Sequence, residues 1–187
     1  AVVGQNPVPH AKVKDVQSAV AANATRCAVS AYPEYEEYCE HGGYQLLRDC
    51  VNGNHEADSV IKIMEDSGLR GLGGAGFPAG RKWRIVKGEP APRLMAVNID
   101  EGEPGTFKDR YFLEQDPHRF LEGMLVATWA VEIHEIYIYL RDEYGGCREI
   151  LTKELASLTA NPPCQLPKMH LRRGAGAYIC GEESAMI

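Results

Sequence analysis

The sequence predicts an α/β protein built on a short parallel sheet with helical crossovers, preceded by a helical appendage. Three observations carry this expectation. Strand-like apolar runs alternate with segments of helical spacing between residues 94 and 171, polar glycine-punctuated loops follow the first and third of those runs, and the chain before residue 57 shows no such alternation. The order β-α-β-α-β implies parallel strands, because an intervening helix carries the chain back to the starting edge of the sheet. In such sheets the ligand crevice lies beyond the carboxyl ends of the strands.

Residues 1 to 10 (AVVGQNPVPH) hold two prolines, a glycine and no periodicity, and read as a linker or extended arm. Lys12 to Ala31 tolerates helix with weak amphipathicity. The stretch PEYEEYCEHGGY is acidic and tyrosine-rich, breaks at Gly42-Gly43, and reads as a solvated face or subunit contact rather than a site. A short helix at Gln45 to Val51 completes an appendage over residues 1–56.

The second region spans residues 57–187. It opens with a helix over Ala57 to Ser67, with Val60, Ile61, Ile63 and Met64 on its apolar side, Asp58 as N-cap and Gly68 as stop. Leu94 to Val97 is a buried-strand run. Asp116-Pro117 supplies a cap followed by proline at the first helical position, and Phe120, Leu121, Met124, Leu125 and Thr128 recur at helical spacing. Ile136 to Leu140 is the second strand, Arg148 to Leu158 the next helix, and Met169 to Leu171 the third strand. Ala185-Met-Ile reads as a helix just begun, so the expectation is a fragment of a longer polypeptide.

Composition narrows the function classes. A chain of 187 residues with 44% apolar and 25% charged residues has the balance of a globular fold and not of a disordered one. A net charge of −6 provides no basic field to gather phosphates, so no nucleic-acid partner is expected. No run approaches the roughly 20 apolar residues of a membrane span, so direct membrane insertion is not expected and a cytoplasmic protein is. The six cysteines include no C-x-x-C pair, which points to reduced thiols and to no metal held by this segment.

Three segments carry the chemistry. In GLGGAGFPAGRKW (residues 71 to 83), Gly71, Gly73 and Gly76 spell G-x-G-x-x-G, but a helix and not a strand precedes them, which removes the simple dinucleotide-loop reading. The glycines then form either a flat backbone platform for a ring system or a flexible surface loop. Asp100, Glu101 and Glu103 are either a solvated turn or acceptors for sugar hydroxyls; metal binding ranks lower because no histidine stands at ligand spacing. The third segment offers Tyr178, the Gly181 backbone and the pair Glu182-Glu183, again hydroxyl-binding groups.

The strings GLRGLGGAGFPAGRKW, MAVNIDEGEPGTFKDR and GAGAYICGEES resemble the signature motifs of the NADH-binding flavoprotein subunit of respiratory complex I and its relatives. Those relatives include diaphorase subunits of NAD-linked hydrogenases and the beta subunit of soluble molybdenum- or tungsten-dependent, NAD-linked formate dehydrogenases. RLMAVN, DPHRFLEGML, IYIYLRDEY and YCEHGGYQLL look more like that beta subunit than like the complex I protein. The resemblance covers residues 35 to 187 and implies a Rossmann-like domain, truncated at its C-terminus, that binds FMN with NAD stacked on the flavin.

Carried over by motif, Gly71, Gly73, Lys82, Asn98, Asp100, Glu101, Tyr178, Gly181 and Glu182 would contact FMN, and Phe77, Glu103 and Glu183 would contact NAD. Ile85 stands where some relatives have a second aromatic against adenine. No catalytic side chain is implied, since hydride passes directly between the cofactors. The implied partners are iron–sulfur and molybdenum- or tungsten-pterin subunits of a hetero-oligomeric dehydrogenase, and the family's [4Fe–4S] cysteine motif belongs beyond residue 187. Two other assignments meet the same motifs: a diaphorase of a hydrogenase or of complex I, and a non-catalytic structural module.

Overall fold

The computed structural model describes residues 1–186. The expected extended arm is a small hairpin: β1 (Val2–Val3) pairs antiparallel with β2 (Asn6–Pro7) around Gly4 at φ +62°. A Cβ on Gly4 would fall 2.7 Å from Thr25 Cβ, so glycine serves both the turn and the close approach. α1 (Val13–Ala21) follows and buries no residue.

α2 (Tyr35–Glu40) and α3 (Gln45–Val51) correct the reading of the tyrosine cluster as a solvated face. Tyr35, Tyr44, Leu47 and Cys50 are buried and belong to the same core as the sheet. Tyrosines can be buried when their hydroxyls find acceptors. Here Tyr38 donates to Glu122 Oε2 at 2.7 Å, Tyr35 donates to the Asn161 carbonyl, and the Tyr44 hydroxyl meets His118 Nδ1 at 2.8 Å.

α4 (Ala57–Asp66) and α5 (Ala79–Lys87) form an antiparallel-style pair around the glycine segment, and α5 is a helix that the glycine content had hidden. The N-cap of α4 is Glu56 and not Asp58. Asp58 lies in the first turn, where its carboxylate is drawn across to Arg84 at 3.2 Å and Lys87 at 3.3 Å on α5. The helices touch backbone to backbone at Gly80, where a Cβ would lie 2.3 Å from Glu65 N and 2.6 Å from Met64 C.

The remaining order is β3 (Arg93–Ile99), α6 (Lys108–Gln115), α7 (Pro117–Val131), β4 (Ile133–Leu140), α8 (Gly145–Ala160), β5 (Lys168–Arg173), a 3₁₀ turn at Tyr178–Gly181 and α9 (Glu183–Met186). The expected alternation is present, with β4 between β3 and β5 and both pairings parallel. Asp116 caps α7 by accepting from Arg119 N at 3.2 Å, with Pro117 at the first helical position.

β3 and β4 alternate along their length, so the sheet has two unlike faces. Ile99, Ile136, Ile138 and Leu140 join Leu121, Leu125, Leu151 and Leu158 from α7 and α8 in the core. Two successive crossovers stepping in one direction put both helices on one face when each has the right-handed sense that parallel units favour. The other face carries polar groups: Tyr137 stacks on His170 with ring centroids 4.6 Å apart, and Glu135 accepts from Tyr137 at 3.0 Å.

The α4–α5 contact yields a stability test. Gly80→Ala must push two backbones apart and is expected to cost about 2 kcal/mol or more. Gly73→Ala, whose Cβ would meet nothing within 4 Å, is expected to stay within about 0.5 kcal/mol of wild type. Urea unfolding of the two variants checks the contrast.

Candidate functional site at the carboxyl ends of the strands

Four chain segments meet at the carboxyl edge of the sheet: the α4–α5 loop, the residues after β3, the turn after β4 and the loop after β5. The α4–α5 loop has a closed neck. Gly71 N donates to the Phe77 carbonyl at 3.0 Å, Ala79 N to Leu69 O at 2.8 Å, and Arg70 Nη1 to Gly76 O at 2.9 Å. Gly74 at φ +103° and Gly76 at φ +61° take backbone conformations that suit glycine, and no atom would crowd a Cβ at Gly73, Gly74 or Gly76. The loop is therefore a pinned ribbon with an open tip.

After β3 the chain is tied to the loop after β5. Asn98 Oδ1 accepts from Asp100 N at 3.0 Å while its Nδ2 donates to the Gly181 carbonyl at 2.8 Å. A Cβ on Gly181 would sit 3.0 Å from the Asp100 carbonyl, and one on Gly102 would sit 3.4 Å from the Tyr178 carbonyl. The two loops thus meet through glycine at both positions. The Tyr178 hydroxyl donates to Glu103 and bridges them again at the rim.

The α4–α5 loop, the residues after β3 and the loop after β5 line a cavity of about 590 Å³, with Gly73, Asn98, Asp100, Glu101, Glu103, Tyr178, Gly181 and Glu182 among the residues nominated from sequence. That volume falls within the roughly 300–1,000 Å³ of small-molecule sites. Lys82 stands apart: it projects from α5 into a neighbouring groove of about 680 Å³, with Trp83 and Phe120, and Asn98 lines both spaces. Gly71, Phe77 and Glu183 are not in either lining. Phe77 is exposed, with the Arg81 guanidinium 5.8 Å from its ring centroid, and Glu183 opens α9.

The carboxylates differ in what they have left to offer. Burial pushes the Asp100 carboxyl up and Glu143 adds to the shift, with Arg141 opposing them. Glu182 is held below the usual range mainly by hydrogen bonding to the Ser184 side chain, with backbone N–H groups of α9 adding to it. For Glu101 burial acts upward, but the N–H of Asp109, the Tyr144 hydroxyl, the N–H of Arg110 and nearby Lys108 outweigh it, so its carboxyl lies below the usual range.

Sequence reasoning missed three features here. The polar segment expected as a loop after the first strand is loop only in part, since α6 begins at Lys108. Lys108 and Thr106 line the cavity. Arg141 and Tyr144, in the turn after β4, reach under it to Glu101. The signal for the last pair was present: in a parallel sheet the turn after the central strand opens on the same edge as its neighbours. Among the described residues, no group of three or more His, Cys, Asp or Glu is placed to hold a metal ion, and no helix is long and apolar enough to cross a membrane.

A parallel sheet whose carboxyl edge gathers glycines, carboxylates and a tyrosine around a cleft defines a nucleotide- or flavin-binding α/β domain. The family model of the Nuo51 FMN-binding domain matches residues 64–187, and the chain belongs to that family. It is 43% identical over 162 residues to a NADH-quinone oxidoreductase subunit of Aquifex aeolicus, covering 81% of this chain and 37% of the relative. It is 42% identical over 177 residues to NADH dehydrogenase [ubiquinone] flavoprotein 1, mitochondrial, of Dictyostelium discoideum, covering 87% and 36%. A solved NAD⁺-reducing [NiFe]-hydrogenase in the H₂-reduced state superposes with a TM-score of 0.70 at 27% identity, over 99% of this chain and 35% of that one. The chain thus spans little more than a third of the length of these relatives.

Glu101 gives a pH prediction. Because its folded carboxyl lies below its unfolded value of about 4.3, it contributes stability that is present above that pH and is lost as pH falls through the folded value. Glu101→Gln is expected to lower stability at pH 7 and to flatten the decline in acid. Urea midpoints measured from pH 7 down to pH 3 check this.

Proposed function

We propose that this chain is the cofactor-binding part of a cytoplasmic flavoprotein subunit that passes hydride between NAD(H) and FMN and electrons onward to iron–sulfur centres, within an NAD-dependent formate dehydrogenase. One observation carries the reading. Each of the three segments that resemble the flavoprotein signature motifs contributes to one cleft at the carboxyl edge of the sheet: Gly73 from the first, Asn98, Asp100, Glu101 and Glu103 from the second, and Tyr178, Gly181 and Glu182 from the third.

The residues present fit FMN in their chemistry. Gly73 leaves its side of the cavity open, while Gly102 and Gly181 let the two carboxylate-bearing loops close without a side chain between them. Asp100 and Glu103 offer acceptors for hydroxyl and ring N–H groups, and Lys82 in the adjoining groove offers a cation for a phosphate. When bound, FMN supplies two-electron exchange with nicotinamide and one-electron exchange with clusters. The protein's own part is positioning and electrostatics, and no side chain is required as a general base. Carboxylates around the site disfavour extra negative charge on a bound ligand, and Lys82 opposes them.

Support for formate dehydrogenase is the wording of RLMAVN, DPHRFLEGML, IYIYLRDEY and YCEHGGYQLL. The relatives named above favour a second reading, a diaphorase subunit of complex I or of a hydrogenase. A cofactor and subunit inventory of the native complex separates them. Molybdenum or tungsten together with formate-driven NAD⁺ reduction supports the first; nickel with hydrogen-driven reduction, or association with quinone-reducing membrane subunits, overturns it. Flavin retained by the washed chain after incubation with FMN excludes a purely structural role.

The NAD side has its own test. A carboxylate near the adenosine ribose repels a 2′-phosphate, so Glu183→Gln is expected to raise the use of NADPH relative to NADH by about fivefold, the scale of one charge pair at close range in water. Steady-state rates with an artificial electron acceptor measure the ratio, and an unchanged ratio removes Glu183 from the NAD contacts.

A further inference from the structure

We propose that Tyr144 and Arg141, in the turn joining β4 to α8, are positioning residues of the cofactor site that hold the residues after β3 in binding shape by gripping Glu101; the inference rests on the FMN reading above. Neither residue lines the cavity itself, and although both fall in the string IYIYLRDEY, neither belongs to the three segments that nominated the site.

The grip takes hold of Glu101 at three points. Tyr144 Oη donates to Glu101 Oε1 at 2.8 Å, and Arg141 Nη1 donates to the Glu101 carbonyl. On the far side Asp109 N donates to Oε2 at 2.6 Å, with Lys108 Nζ at 3.9 Å. The side chain is 1% exposed. Both carboxylate oxygens are therefore engaged by protein donors, and the charge-assisted bonds are of the stronger kind. Glu101 serves the cavity as an anchor, and its neighbours Asp100 and Glu103 are the groups left to meet a ligand.

The turn that does the gripping is itself fixed. Arg141 N donates to Ile99 O at 3.0 Å, which continues the β3–β4 pairing one residue past the strands. Tyr144 N donates to Arg141 O at 3.2 Å and closes the turn. Glu143 Oε2 accepts from Arg141 Nε at 3.0 Å, and the Arg141 and Arg110 guanidinium groups lie 5.5 and 5.8 Å from the centroid of the Tyr144 ring. The phenol has little freedom to leave Glu101.

The experiment uses the chain reconstituted with FMN and three variants, Tyr144→Phe, Glu101→Gln and the double substitution, with the FMN Kd and the midpoint potential of the bound flavin as readouts. Tyr144→Phe is expected to weaken FMN binding about tenfold, the scale of one hydrogen bond to a charged group, and to shift the potential. The double variant is expected to be no weaker than Glu101→Gln alone, because both act through one contact. A folded Tyr144→Phe with unchanged Kd and potential, or effects that add, overturns the proposal. If Tyr144→Phe does not fold, Arg141→Lys takes its place: the shorter reach loses the carbonyl contact while keeping the charge, and unchanged FMN affinity is again the overturning result. A wild-type chain that binds no FMN refutes the FMN reading instead. The grip is then read from amide exchange over residues 99 to 103, which Tyr144→Phe should accelerate, and unchanged exchange removes it.

Discussion

The ligand edge of this protein depends on the main-chain ladder of the central strand. β4 is paired on both sides within the parallel sheet, and its hydrogen bonding runs past the ends of the strands. Arg141 N reaches Ile99 O at 3.0 Å on one side, and Gly174 N reaches Leu140 O at 2.7 Å on the other. The loops after β3 and β5 therefore start from fixed positions on either flank of β4, and Asn98 Nδ2 to Gly181 O links them directly. Asp100, Glu101, Glu103 and Glu182 share this rim, and like charges placed together repel. Backbone hydrogen bonds, being uncharged and directional, can hold such a group of side chains where the side chains alone would spread apart.

The same protein caps helices from a distance, twice. α3 begins at Tyr44 in the left-handed region, with no side-chain cap of its own, and Glu122 of α7 accepts from Tyr44 N at 2.8 Å and Leu47 N at 3.3 Å. α6 begins after Phe107, again without a local cap, and Glu101 accepts from Asp109 N. A carboxylate near a helix N-terminus satisfies orphan N–H groups and suits the dipole. Supplied from another element, it also fixes how the two elements sit. Beside the first of these caps runs a buried chain in which the Tyr44 hydroxyl meets His118 Nδ1 at 2.8 Å, His118 Nε2 meets Glu154 at 2.7 Å, and Tyr32 donates to Glu154 at 2.8 Å. The geometry is satisfied when Tyr44 donates to Nδ1 and Nε2–H donates to the carboxylate. Segments far apart in sequence are joined by polar groups that would each be costly to leave unpaired.

What was legible in the sequence was whatever repeats at short range. The alternation of β4 and the Asp116-Pro117 start of α7 are local patterns, and they appear where expected. α5 was hidden because Gly71, Gly73, Gly74 and Gly76 set the character of the whole stretch, while the reason for Gly80 inside the helix lies in the backbone of α4. Asp58 resembled a cap because cap residues are acidic or hydroxylated, but two basic side chains on α5 claim it. The tyrosines of α2 and α3 resembled a surface because their acceptors, Glu122 and His118, lie more than 70 residues away. At the site, spacing left the carboxylates as either a solvated turn or hydroxyl acceptors and the motif resemblance nominated them; neither could tell that Glu101 is spent on Tyr144 and Asp109.

The placement of Lys82 adds a constraint on how a ligand would lie. The carboxylates line one space and the lysine the next, with Asn98 common to both. Under the proposed reading this separation matches FMN, whose charge is concentrated in its phosphate while its ring and ribityl chain present neutral hydrogen-bonding groups. A dianionic phosphate seated among Asp100, Glu103 and Glu182 would meet three carboxylates, whereas beside Lys82 it meets a cation. The neutral hydrogen-bonding groups would then face the carboxylate space, where Asp100 and Glu103 offer acceptors. Asn98 sits at the junction with its amide Nδ2 donating to the Gly181 carbonyl and its Oδ1 accepting from Asp100 N. It holds the shape of the passage between the two spaces, and its role is geometric before it is chemical.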